Sequence, residues 1–89
     1  MPLPEPQQRG GIRVYTRPGC HLCEQLIDDL LPLLRGRLAM EVCDVDSRPD
    51  WKREFGARVP VVEYDGAMVC QYRLDTAAIR AILDALPAA

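Results

Sequence analysis

Ile12-Arg13-Val14-Tyr15-Thr16 alternates apolar and polar side chains over the length of a short strand. Pro18-Gly19 then predicts a sharp turn, because proline restricts Arg17 to extended backbone and glycine accepts a positive φ. From Cys20 the period lengthens. Leu22, Leu26, Leu30 and Leu33 recur every three or four residues, with Cys23, Ile27, Leu31 and Leu34 beside them, which is a broad apolar stripe on a helix. Pro32 has no N–H to give the carbonyl of Asp28, so the helix is expected to kink or stop there, and Arg35-Gly36-Arg37 closes it.

Leu38 to Val45 reads as a second strand with Leu38, Met40 and Val42 on one face. Ser47 is the expected cap of a short helix with Pro49 in its first turn; Trp51 and Phe55 share one side of it, and Gly56 ends it. Val59 to Tyr64 and Ala67 to Tyr72 form a hairpin around Asp65-Gly66, a pair that tolerates positive φ at both central positions. Asp75 caps a last helix, Leu74 can staple onto Ile79, and Ile79, Ile82, Leu83 and Leu86 make its buried side. The order is β-α-β-α-β-β-α. A right-handed opening unit makes the first two strands parallel, and the hairpin adds an antiparallel pair. The fold class is therefore α/β, a four-stranded mixed sheet flanked by helices.

Size and composition narrow the function classes. The 89 residues hold one core, and 48% hydrophobic with 27% charged residues is ordinary for a globular domain. Residues 1–11, with proline at positions 2, 4 and 6 and a closing Gly-Gly, are expected to form a flexible leader, and residues 12–89 the domain. Ten of the eleven basic residues are arginine and they are scattered, while the net charge is −2, so neither nucleic acid nor a membrane is an expected partner. No apolar run approaches the ~18–20 residues of a membrane span, and no secretory signal is visible. Four cysteines in such a chain point to reduced, cytoplasmic thiols rather than to a disulfide-stapled scaffold.

Only one pair of cysteines is close. Cys20-His21-Leu22-Cys23 follows a strand and a turn and opens a helix. Residues three apart on a helix are neighbours, with Cβ atoms about 5–6 Å apart, so a disulfide closes with little movement. The helix N-terminus presents unpaired amides and a positive dipole end to Cys20, which favours thiolate over thiol. Cys23 lies deeper in the turn and suits the resolving role. This pattern in this setting is a known signature of thioredoxin-like redox motifs. His21 reads either as a cation stabilising the Cys20 thiolate or as an exposed side chain. Arg17, Arg58 and Arg73 either ring the site or are ordinary solvated arginines. Trp51 and Phe55 read as core or as the lining of a partner groove. Cys43 and Cys70 have no second cysteine nearby, so they read as inert thiols and not as zinc ligands.

Val14-Tyr15-Thr16-Arg17 running into Cys20-His21-Leu22-Cys23, Arg58-Val59-Pro60 opening the third strand, and the element order together carry a resemblance. Residues 12–86 resemble the glutaredoxin branch of the thioredoxin superfamily, in particular its small bacterial glutaredoxin-like members. The resemblance implies a cis Pro60 facing the cysteines, a Val59 backbone that pairs with the bound peptide or glutathione, and Arg17 near glutathione's glycyl carboxylate. It implies a thiol–disulfide oxidoreductase in which Cys20 attacks and Cys23 resolves. Its substrates would be a disulfide-containing protein or a glutathionylated thiol, reduced at the expense of glutathione or a protein reductant. No bound cofactor is implied, glutathione being a co-substrate, and the chain is expected to act as a monomer. Two departures are plain: His21-Leu22 replaces the usual Pro-Tyr, and Tyr72-Arg73-Leu74-Asp75-Thr76 replaces the Gly-Gly and acidic element that grips glutathione's γ-glutamyl end. Weak glutathione binding is the expectation. The other classes this chain admits are a non-catalytic interaction module and a metal or iron–sulfur cluster protein held through Cys20.

Overall fold

The computed structural model describes residues 11–87. Four strands and three helices follow in the order β1 (Ile12–Thr16), α1 (His21–Leu34), β2 (Met40–Asp44), α2 (Pro49–Phe55), β3 (Val61–Tyr64), β4 (Ala67–Gln71) and α3 (Thr76–Asp84), with a 3-10 turn at Val45–Ser47. The sheet order is β2-β1-β3-β4. β1 and β2 run parallel, whereas β1–β3 and β3–β4 are antiparallel. The α/β class and the mixed four-stranded sheet are those read from the sequence. The leader expected over residues 1–11 lies, apart from Gly11, outside the described residues.

Period two in the strands divides the core between the sheet's faces. Ile12, Val14 and Val62 point to one side, where Leu26, Leu30 and Leu34 of α1 and Ile79 and Leu83 of α3 close over them. Tyr15, Cys43 and Val61 point to the other, under Phe55 of α2. There the Tyr15 ring stacks on Phe55 at 4.1 Å and meets Trp51 edge-on at 5.5 Å. Trp51 is half-buried against this smaller core.

Four local expectations need correction. Of the two outcomes expected at Pro32, a kink or a stop, the stop does not occur: helix α1 runs through Pro32 to Leu34. The bond lost at Asp28 costs up to about 3 kcal/mol, and full burial of Leu34 alone returns about 1.5–3 kcal/mol. The reversal comes at Arg35 and Gly36, with φ of 49° and 74°. Strand β2 is shorter than 38–45, and Val42 is 49% exposed because β2 is the sheet edge; Cys43, from the opposite face, is the buried residue. Ser47 does not cap α2: the cap is Arg48, without a side-chain bond, and the Ser47 hydroxyl donates to the Asp44 carbonyl at 2.6 Å. Strand β3 begins at Val61, after a cis Val59–Pro60 bond. Gly56 does end α2, but at φ −54°; a Cβ there would lie 2.5 Å from the Lys52 carbonyl oxygen, so close approach and not a positive φ demands glycine.

Asp65 and Gly66, with φ of 53° and 82°, make the hairpin turn as expected. Asp75 caps α3 by accepting from the Ala78 N–H at 3.0 Å.

Candidate functional site

The turn between β1 and α1 is built by its own residues. The Cys20 N–H donates to the Arg17 carbonyl at 3.0 Å, and Gly19 sits at φ 79°, which makes Arg17-Pro18-Gly19-Cys20 a type II turn. The turn delivers Cys20 to the cap of α1 with extended backbone, and its sulfur accepts from the Cys23 N–H at 3.1 Å. Cys20 and Cys23 are paired as a disulfide with Cα atoms 5.2 Å apart. Their environments differ. Cys20 is half-buried, while Cys23 is 2% exposed at the edge of the core. Beside the pair lies a hollow of about 240 Å³ walled by Thr16, Arg17, Asp44, Glu24 and Ile27.

Topology explains which residues meet here. Because β1 and β2 are parallel with Thr16 opposite Asp44, the segments leaving both strands emerge at one end of the sheet. Because β1 and β3 are antiparallel with Tyr15 opposite Val61, Pro60 arrives at that same end, beside the start of the cysteine turn. Pro60 is fully buried, and its carbonyl accepts from the Tyr72 N–H at 2.8 Å. Val59 is half-buried, and among the described residues its backbone takes part in no backbone hydrogen bond.

The arginines divide. Arg17 is engaged on all three nitrogens: Nε and Nη2 reach Asp46 at 3.4 and 3.2 Å, and Nη1 donates to the Gly56 carbonyl at 3.2 Å. It ties the end of β1 to the segment around α2. Arg58 is half-buried with its guanidinium 5.6 Å from the centre of the Phe55 ring. Arg73 stands apart from the cysteine hollow and lines a different one along α1. The His21 side chain is 89% exposed and its Nδ1 lies 3.8 Å from Glu24, so its nearest charged neighbour is a carboxylate.

The remaining thiols are unlike the pair. Burial pushes the Cys43 thiol up to about 11, and it also pushes Cys70 upward. Across the α2 face, Arg13 bridges Glu41 at 3.2 Å and the Tyr15 hydroxyl at 3.4 Å, and that hydroxyl donates to Glu63 at 2.9 Å. Among the described residues no group of three or more His, Cys, Asp or Glu side chains is placed to hold a metal ion, and no helix is long and apolar enough to cross a membrane.

Sequence reasoning missed Asp44, Asp46 and Gly56 as members of the site. The signal was available in the parallel opening unit, which obliges the residues after β2 to share an end with the residues after β1.

A family model described as a glutaredoxin-like domain (DUF836) matches residues 11–84. Among solved structures, protein Ne2328 from Nitrosomonas europaea is 35% identical over 80% of this chain and 87% of its own, with a TM-score of 0.71. The target protein XcR50 from X. campestris is 31% identical over 86% of this chain and 100% of its own, with a TM-score of 0.67. Fasciola hepatica thioredoxin, at 15% identity and a TM-score of 0.55 over 88% of this chain and 84% of its own, shares the fold. A comparison with curated proteins found no match.

Proposed function

This chain belongs to the glutaredoxin-like (DUF836) family, and from that we propose that it is a thiol–disulfide oxidoreductase working through Cys20 and Cys23. The observation that carries the reading is the asymmetry of the pair. One sulfur is accessible at a helix N-terminus and accepts a backbone N–H, and the other is buried three residues on, within disulfide reach.

In the reduced protein the Cys20 thiolate attacks one sulfur of a substrate disulfide. A Cys20–substrate bond forms, and the other substrate sulfur leaves as a thiolate that takes up a proton. Cys23 then loses its proton to solvent and attacks the Cys20 sulfur. The Cys20–Cys23 bond forms, and the second substrate thiolate leaves. The substrate has gained two electrons and the pair has lost two. A thiol reductant, glutathione or a reducing protein, restores the dithiol in a cytoplasmic setting. Val59 would pair its free backbone with the extended chain around the substrate sulfur, with Pro60 holding it beside the cysteines. His21, turned to solvent, would act on the approaching substrate more than on Cys20.

Turnover of a small disulfide in a glutathione-coupled assay tests the reading, together with trapping. Cys23→Ser is expected to accumulate mixed disulfides through Cys20, and Cys20→Ser to form none. Equal trapping by both variants, or none by either, would refute the assignment.

A further inference from the structure

On the outer side of α1 lies a hollow of about 610 Å³, larger than the one beside the cysteines. Leu22, Asp28 and Asp29 wall it from α1, and Tyr72, Arg73 and Leu74 wall it from the segment joining β4 to α3. Such a volume takes a small ligand or a few residues of extended chain. Leu22 and Tyr72 are 56% and 45% exposed, although both are large and apolar. Leu22 lies between the two cysteines in sequence, so one end of the hollow is walled by a residue of the redox motif. Tyr72 is held at φ 69°, where bulky side chains are rare. Hydrogen bonds of 2.8 Å from the Tyr72 N–H to the Pro60 carbonyl and from the Arg73 N–H to the Gln71 carbonyl fix it there. An uncommon backbone thus presents an aromatic ring beside the site.

Charge selects the occupant. Two carboxylates, Asp28 and Asp29, share the hollow with one cation, Arg73, and among the described residues no basic nitrogen lies within 4 Å of either. The Gln25 amide donates to Asp29 at 3.3 Å and leaves the charge in place. A net negative wall disfavours glutathione, with its two carboxylates, and favours a cation. At 1.5 Å per helical residue, Asp28 and Asp29 lie about 10 Å along α1 from Leu22, a distance that an extended chain covers in about three residues.

The geometry points to this hollow as the docking groove for the substrate polypeptide: an apolar residue next to the substrate cysteine rests on Leu22 and Tyr72, and a basic residue two or three positions away meets Asp28 and Asp29. The inference rests on the oxidoreductase reading and names its substrate class, a protein disulfide in an apolar and basic context.

Blocked peptides Cys-Leu-Gly-Arg and Arg-Gly-Leu-Cys, each as a mixed disulfide with 2-mercaptoethanol, would be compared with versions carrying Glu for Arg. In one order or the other, the Arg peptide is expected to be reduced about fivefold faster in kcat/KM, with the advantage fading at high salt. The ratio should fall to near one in the Asp28→Asn/Asp29→Asn double variant. Tyr72→Gly suits φ 69° and should fold normally, while losing the preference for Leu over Gly beside the cysteine. Equal rates for Arg and Glu peptides in both orders would overturn the groove, yet leave the redox reading standing if the disulfides are reduced at all. If none is reduced, the redox reading fails and binding alone judges the groove. Peptides with Ser for Cys should then still shift the amide signals of Leu22, Asp28, Asp29 and Leu74. No shifts there, equal shifts with glutathione, or shifts that track self-association would overturn it.

Discussion

The Cys23 backbone N–H donates to the Cys20 sulfur at 3.1 Å, so one sulfur both caps helix α1 and forms half of the disulfide. Chemistry and fold therefore share an atom. After reduction the same amide faces the freed sulfur, and hydrogen bonding to the charged form is one of the effects that favours a thiolate. Cys23 has no such partner among the described residues and is 2% exposed, which leaves it to act on the Cys20 sulfur once that sulfur carries the substrate.

Selective alkylation follows. In the reduced protein, dilute iodoacetamide near neutral pH is expected to label Cys20 well before the other three cysteines. Cys43, pushed up to about 11, and Cys70, also raised, remain thiols at that pH and should react only as the solution becomes strongly alkaline. Mass mapping of the modified peptides checks the order; Cys43 or Cys70 modified first would contradict it.

Cys43 also makes stability depend on pH. Its ordinary value of 9.0 rises to about 11 in the fold, so the native state holds this proton more tightly than the unfolded chain. The contribution is complete below about pH 9 and is lost as pH climbs through 9 to 11, on the order of 2 kcal/mol. Urea unfolding of the oxidised protein across that window should show the decline, and Cys43→Val should flatten it. Parallel curves for both proteins would show that other groups cause the loss.

What the sequence disclosed, and what it did not, divides along a physical line. The cysteine turn, the Asp65-Gly66 hairpin and the Asp75 cap are local: each depends on residues within four positions of one another, and each was legible. Ser47 failed as a cap because Pro49 set the helix start one residue later, at Arg48. The shared face of Met40 and Val42 was legible, but periodicity reports a face and not an edge; only strand order shows that, among the described residues, β2 has no neighbour on its outer side, which leaves Val42 exposed. The partners of Arg17 are 29 and 39 positions away, so no local pattern could name them.

The Asp75 cap can be measured on its own. Asp75→Ala removes the acceptor for the Ala78 N–H and is expected to cost about 1 kcal/mol in urea unfolding, while Asp75→Asn should retain most of it. Because α3 supplies Ile79 and Leu83 to the main core, the loss should lower the midpoint without changing the slope. Full stability in Asp75→Ala would mean that the 3.0 Å bond contributes nothing.

Glutathione affinity should be governed by a competition at Arg17. The family resemblance assigns this guanidinium to glutathione's glycyl carboxylate, yet Asp46 already takes two of its nitrogens and the Gly56 carbonyl takes the third. An incoming carboxylate must compete with Asp46 for this guanidinium, and sharing or exchanging one carboxylate for another returns little net free energy. Asp46→Asn removes the competing charge and leaves Arg17 in place. That variant is expected to bind glutathione roughly two- to fivefold more tightly than the unmodified protein, the scale of one half-exposed ion pair. Arg17→Ala should bind more weakly than either, and should also cost about 1 kcal/mol of stability through loss of the contacts to Asp46 and Gly56. High salt should narrow all three affinities toward one value. Titration with glutathione, followed by the amide shifts of Arg17, Cys20 and Val59, reads the order directly. Identical affinities for Asp46→Asn and the unmodified protein would mean that Arg17 serves the fold and not the ligand.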